Sequence, residues 1–241
     1  MVNKTIHIGG YVRQAHVISE IMKLQPVPNT ILDAGSGNGD YAIHLGCELK
    51  GSSIIGVEIN PEQVKYADYK LHQANVSNVS FMEGDITKNL DRNRFDLIYS
   101  VDVMEHIQDD MGVFKNFYNA LKPNGILILH VPKKTQRFFL NFLGIFTRQS
   151  DHVREGYDED EIREIIKNIG FEIHIAKNTF GMCASFIWEI MQLLNHLGPI
   201  GNAIWKLLFP LLKPVVDREF KWPQKYGNGL LLVARKGIQV A

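Results

Sequence analysis

The residues Ile31 to Asp40, ILDAGSGNGD, place three glycines at alternate positions between two carboxylates, Asp33 and Asp40. A glycine-rich turn after a short apolar run commonly brings backbone N–H groups to a phosphate at a helix N-terminus. The spacing here differs from the dinucleotide fingerprint G-x-G-x-x-G: Gly35, Gly37 and Gly39 give G-x-G-x-G, and Asp40 stands where the third glycine would be. Two carboxylates would also repel a pyrophosphate, whereas a cationic or zwitterionic ligand would not suffer this. About twenty residues further on, IIGVEI ends in Glu58, suitably placed to accept both hydroxyls of a ribose. The pattern reads as a site for a nucleoside ligand that lacks a phosphate.

Such a loop needs strands and helices to hold it. Short β-rich runs occur at TILDA (30–34), SIIGVEI (53–59), VSFMEG (79–84), FDLIYSV (95–101), GILILHV (125–131), FEIHIA (171–176) and GLLLVARK (229–236). Helical patterns alternate with them, starting near Asn38, Pro61 and Asp109 and again in YDEDEIREIIKNIG (157–170), where acids open the helix and Gly170 closes it. Pro61 suits a first helical position, and LKPNG after residue 120 predicts a helix stop and turn. Alternation of this kind predicts an α/β fold with a parallel sheet and helices on both faces. Two connections, 133–157 and 181–227, far exceed the roughly two to six residues usual between such elements, so they are expected to build over the sheet edge where ligands of open parallel sheets bind.

Composition excludes several classes. Lys plus Arg (26) cancels Asp plus Glu (26), which leaves no global basic field for nucleic acid. Cys47 and Cys183 are far apart and without C-x-x-C spacing, so no disulfide framework, zinc site or other metal site is expected, and a reducing cytoplasm is the expected compartment. The first residues, MVNKTIHIGGYVRQ, lack the apolar core of a secretory signal, and the mature chain is expected to start near Met1.

Five segments, in order, resemble the class I, Rossmann-like S-adenosylmethionine-dependent methyltransferases: ILDAGSGNGDYAIHL, IGVEIN, FMEGDI, FDLIYSVDVMEHI and ALKPNGILIL. Within the class the chain resembles the small-molecule "type 11" subgroup, similar to quinone-biosynthesis methyltransferases. The resemblance implies a seven-stranded sheet with its last strand antiparallel. It also implies S-adenosyl-L-methionine as cofactor: Asp33, Ala34, Gly35 and Gly37 at the methionine end, Glu58 and Ile59 at the ribose, Asp85 and Ile86 at the adenine edge, Ser100 and Val101 under the methionine moiety. Each has a plainer alternative, Asp33 and Glu58 as strand-end charges and Asp85 as a turn former. Asp40 reads as a dipole partner in the first helical turn. Asp102 and His106 could equally pack around the next helix. The whole chain, 1–241, is then one domain: a helical lid (1–29), a cofactor-binding core (30–132), and lid or acceptor insertions (133–157 and 181–227).

Methyl transfer asks mainly for alignment, and a base is needed only for a hydroxyl or protonated amine. QSDHVREGYDEDEI gathers Asp151, His152, Arg154 and Tyr157; His152 is the candidate base and Arg154 the candidate grip on an acidic acceptor, against the alternative of a network at the helix start. In KKTQRFFLNFLGIFTR, Lys133, Lys134, Arg137 and Arg148 flank Phe138, Phe139, Leu140, Phe142, Leu143, Ile145 and Phe146 with no acid, the composition of an interfacial segment. The later insertion is apolar too, but Gly198, Pro199, Pro210 and Pro214 are expected to interrupt it short of a membrane span. Three readings stay open for these segments: a lid over a lipid-like acceptor with peripheral membrane contact, a cap over a polar small-molecule site, or a contact between subunits of a homodimer rather than a monomer. A non-catalytic protein that keeps the cofactor fold is the alternative from another class.

Overall fold

The computed structural model describes residues 7–140 and 153–237. Its seven strands are β1 (Thr30–Ala34), β2 (Ser53–Glu58), β3 (Val79–Glu83), β4 (Phe95–Val101), β5 (Leu121–Pro132), β6 (Phe171–Thr179) and β7 (Gly229–Lys236). They form one sheet in the order β3-β2-β1-β4-β5-β7-β6. The ladders β1–β2, β1–β4, β2–β3 and β4–β5 are parallel, and β7 alone is reversed, antiparallel to both β5 and β6. The expected seven-stranded, mostly parallel sheet with an antiparallel last strand is therefore present. The reversed strand lies inside the sheet, between β5 and β6.

The central strands are apolar on both faces, as parallel strands covered on both sides must be. Leu32, Ile98, Leu127 and Leu129 point into one core, with Phe114, Phe117, Ile162 and Ile166 from helices α4 (Asp110–Ala120) and α5 (Glu159–Ile169). Their neighbours Ile31, Leu97, Tyr99 and Ile128 point to the other, against α1 (Ile8–Ile21), α2 (Asp40–Glu48) and α3 (Pro61–Ala74). Local signals set the boundaries. Asn60 caps α3, accepting from the N–H of Glu62 and Gln63, with Pro61 in the first turn; Gly170, at φ 112°, closes α5.

A third core joins three helices. Ile8 and Val12 of α1 pack with Ala184, Ile187 and Met191 of α6 (Met182–Asn195) and Trp205, Phe209 and Val216 of α7 (Gly198–Glu219). The N-terminal segment and the second long connection are thus one helical layer.

Two expectations need correction. LKPNG does more than turn the chain: Leu121 already pairs with Phe95, the ladder slips, and pairing resumes at Ile126 with Leu97. Asn124, at φ 64°, carries the turn inside the strand's span. Pro210 and Pro214 do not interrupt α7, which runs through both for 22 residues. The two prolines are exposed and four residues apart, so the lost N–H donors fall on one outward face, while Trp205, Phe209 and Val216 pin the inward face by packing. No helix among the described residues is long and apolar enough to cross a membrane.

Candidate active site

The glycine loop joins the C-terminal end of β1 to α2. Gly35, Gly37 and Gly39 all adopt left-handed backbone, at φ 80°, 51° and 74°. Side chains rarely adopt this conformation, and a Cβ would overlap Val103 at position 35 and Phe81 at position 39. The loop is sewn to β2: the N–H groups of Gly35 and Ser36 donate to the Val57 carbonyl at 2.9 and 3.0 Å. The Glu58 carboxylate accepts from Gly37 N–H at 2.9 Å and from Asn60 N–H at 3.0 Å, so it fixes the loop against the start of α3. Beside it Ile59 is 65% exposed, an apolar surface at a strand end.

Asp33 is buried at the end of β1, and its Oδ2 has no hydrogen-bond partner; the same holds for Ser36 Oγ and for the hydroxyls of Tyr41 and Tyr99. Burial pushes the Asp33 carboxyl up to about 7; the nearby Tyr99 hydroxyl opposes the rise and the Glu58 charge adds to it. A buried carboxyl held this way is an uncompensated acceptor, a costly arrangement unless a cation or donor meets it.

The other expected residues differ in their surroundings. Gly84 N–H donates to the Glu58 carbonyl at 2.9 Å, which brings the turn after β3 beside the loop. In that turn Asp85 accepts from the Thr87 N–H (2.9 Å) and hydroxyl (2.6 Å), which lower its pKa, while Asn116 of α4 donates to the carbonyls of Ile86, Thr87 and Lys88. Asp85 is therefore a turn former as well as a neighbour of the loop, and Ile86 is buried. The Ser100 hydroxyl donates to the Ala34 carbonyl at 2.9 Å, fastening β4 to β1, and Val101 is half-buried at the strand end. Asp40 sits in the first turn of α2 and pairs with Lys70.

Asp102 is the residue whose surroundings were least legible beforehand. It adopts φ 51°, accepts from Arg13 of α1 at 2.5 Å, and lies 2.6 Å from His130 Nδ1; His130 Nε2 lies 2.8 Å from the Thr179 hydroxyl. Burial works against the charge, but Arg13 and His130 together keep the Asp102 carboxyl well below its usual range. Both ring nitrogens of His130 are occupied, so the chain ties α1, β4, β5 and β6 together instead of presenting a free base. His16, three residues after Arg13, is pulled down to about 3 by burial and by the charges of Lys177 and His130, and so stays neutral.

Arg154 does not point to a free grip on an acceptor. Its guanidinium lies 3.0 Å from the buried Asp110 and 3.7 Å from Glu161 and stacks over Tyr157, whose hydroxyl donates to Asp110 at 2.8 Å. This is the network at the helix start, and the strong pull of a buried carboxylate on a nearby guanidinium explains why it forms. Asp151 and His152 lie outside the described residues, as do Phe142, Leu143, Ile145, Phe146 and Arg148.

Residues 28–180 match the family described as Methyltransferase domain. The chain belongs to that family. It is 26% identical over 155 residues to the sterol 24-C-methyltransferase of Saccharomyces cerevisiae, covering 61% of this chain and 40% of that one. It is 29% identical over 153 residues to phosphoethanolamine N-methyltransferase 1 of Triticum aestivum, covering 63% and 26%. The chain thus spans less than half the length of these curated relatives. Among solved structures, phosphoethanolamine N-methyltransferase 2 of Haemonchus contortus in complex with S-adenosyl-L-methionine superposes with a TM-score of 0.65 at 21% identity, over 95% of this chain and 53% of that one, which shows the shared fold.

Proposed function

We propose that this protein transfers a methyl group from S-adenosyl-L-methionine to a small, hydrophobic or lipid-like acceptor. The observation that carries the cofactor half is Asp33: a buried carboxylate oxygen without a partner, beside a loop of three left-handed glycines in which Gly35 and Gly39 pack against Val103 and Phe81 while Gly37 stays open. The residues fit a nucleoside amino acid. Asp33, Ala34, Gly35 and Gly37 would hold its cationic methionine end, Glu58 and Ile59 its ribose, and the turn at Asp85 and Ile86 its adenine, with Ser100 and Val101 beneath. When bound, that group supplies a methyl already activated on a sulfonium. The chain's own contribution is orientation and exclusion of water by the helical layer of α1, α6 and α7, with residues 1–29, 133–157 and 181–227 serving as lid and acceptor surfaces of a single domain.

The acceptor half draws support from α7. Ile200, Ile204, Leu207, Leu211 and Val215 recur at helical spacing along its outward face and stay exposed, 70% at Ile200, 76% at Leu207 and 74% at Leu211. Exposed Lys206 and Arg218 flank this stripe, Trp222 lies exposed just beyond it, and no acid occurs from 190 to 216. An apolar stripe edged by cations and an exposed indole suits peripheral contact with an anionic membrane surface. Relatives named for a sterol and for phosphoethanolamine are consistent with a small-molecule acceptor.

The test is incubation with methyl-labelled S-adenosylmethionine and a fractionated cell extract. Label entering the organic, lipid fraction is expected. Label confined to the aqueous fraction would replace the lipid-like acceptor with a polar one, and no transfer despite cofactor binding would favour a non-catalytic protein.

A further inference from the structure

A cavity of about 640 Å³ lies where the chain leaves β5 and β6 and enters β7. Its size falls within the range of small-molecule sites. Lys133, Arg137 and Lys225 supply three cations to its wall, Phe138, Phe139 and Phe180 the apolar part, and Thr135, Ser185 and Asn228 neutral polar groups; among the described residues no acid lines it. That is a local departure from a chain with 26 cations and 26 anions.

Neighbouring carboxylates are committed elsewhere. Glu189, fully buried, accepts from the N–H groups of Phe139 (2.9 Å) and Leu140 (2.6 Å), which pins the cavity-lining segment. Glu219 accepts from the N–H groups of Cys183 (2.8 Å) and Ala184 (3.0 Å) at the start of α6. Asn228 clamps Arg137 by its backbone, accepting from the N–H at 2.8 Å and donating to the carbonyl at 2.9 Å. Arg137 and Lys225 both lie over the Tyr226 ring, at 4.6 and 5.5 Å from its centre, and Lys133 donates to Asn178 at 3.0 Å. None of the three cations has an ion-pair partner among the described residues. Three cations lining one cavity favour an anion among them, and a guanidinium with two ammoniums is well suited to phosphate or carboxylate oxygens.

We propose that this cavity binds an anionic amphiphile, its phosphate or carboxylate on Lys133, Arg137 and Lys225 and its apolar body against Phe138, Phe139 and Phe180. The proposal rests on the methyl-transfer reading for its biological sense, as the seat of the acceptor's charged group, but its test does not depend on that reading.

Calorimetric titrations of the full chain with decyl phosphate, decanol and inorganic phosphate decide it. Decyl phosphate is expected to bind at least tenfold more tightly than either control, and the double variant Arg137→Glu/Lys225→Glu, at two exposed positions, is expected to lose tenfold or more. The single variant Lys225→Glu, expected to lose at least threefold, serves if the double variant folds poorly. Equal affinity for decyl phosphate and decanol, equal affinity for decyl phosphate and inorganic phosphate, or an unchanged affinity in a folded variant would overturn the proposal. A parallel titration with S-adenosylmethionine separates the two readings: its failure would sink methyl transfer and leave the decyl phosphate result standing, and the reverse. Vesicles of phosphatidylcholine with phosphatidylglycerol identify the source of the anion. Vesicle binding lost in the double variant and displaced by decyl phosphate assigns a lipid headgroup; vesicle binding retained while decyl phosphate binding is lost assigns a soluble amphiphile. Both support the shared chemistry.

Discussion

Replacing Asp33 by asparagine should stabilise the unliganded protein at alkaline pH. Burial raises the carboxyl from 3.8 to about 7, so the folded state holds its proton more tightly than the unfolded chain does. The sign follows: Asp33's contribution is most favourable below about pH 4 and is lost as pH rises through about 7. About three units at ~1.36 kcal/mol each set a ceiling of ~4 kcal/mol, of which ~2–3 kcal/mol falls between about pH 5 and pH 8. The asparagine side chain cannot ionise and keeps the shape, so the Asp33→Asn variant should gain about 2 kcal/mol on wild type across that window and be the more stable at pH 8. Urea unfolding of both proteins at several pH values measures the difference directly and cancels other titrating groups. A difference flat from about pH 5 to 8, or a variant that loses stability relative to wild type as pH rises, would refute the reasoning. The same substitution should weaken S-adenosylmethionine at least tenfold, the trade of stability for function expected of a strained site.

Further outcomes follow from the loop and from α7. Gly39→Ala combines left-handed backbone with overlap against Phe81, and should cost about 2–4 kcal/mol by urea unfolding. A cost below about 0.5 kcal/mol would mean that the loop can relax away from Phe81. Leu207→Glu/Leu211→Glu alters only exposed side chains, so its thermal midpoint should stay within a few degrees of wild type while co-sedimentation with anionic vesicles falls at least fivefold. Undiminished vesicle binding would remove α7 from the membrane reading.

Much of the frame was legible because period and glycine placement report backbone geometry directly. Alternate glycines at Gly35, Gly37 and Gly39 marked the loop, and strand–helix alternation marked the sheet. What stayed hidden depends on distant partners. His130 stood out only as one polar residue in an apolar strand, and nothing in the sequence tied it to Asp102, Arg13 and Thr179, which are remote in the chain. Glu189 was likewise a lone acid in an apolar helix; its role as acceptor for Phe139 and Leu140 N–H groups is set by folding alone. Pro210 and Pro214 misled because helix-breaking is a local rule, and here packing of the inward face outweighs it. Arg154 and Tyr157 were correctly seen as a cluster, but the carboxylate that organises them, Asp110, lies some forty residues earlier in the chain.

Calorimetry of S-adenosylmethionine against wild type and Glu58→Ala is the most direct measurement of the central claim, because Glu58 both fixes the glycine loop and faces the proposed ribose site. Wild type is expected to bind in the micromolar range, and the variant to lose tenfold or more. A wild-type protein that does not bind S-adenosylmethionine, or a folded Glu58→Ala variant that binds it undiminished, would contradict that claim.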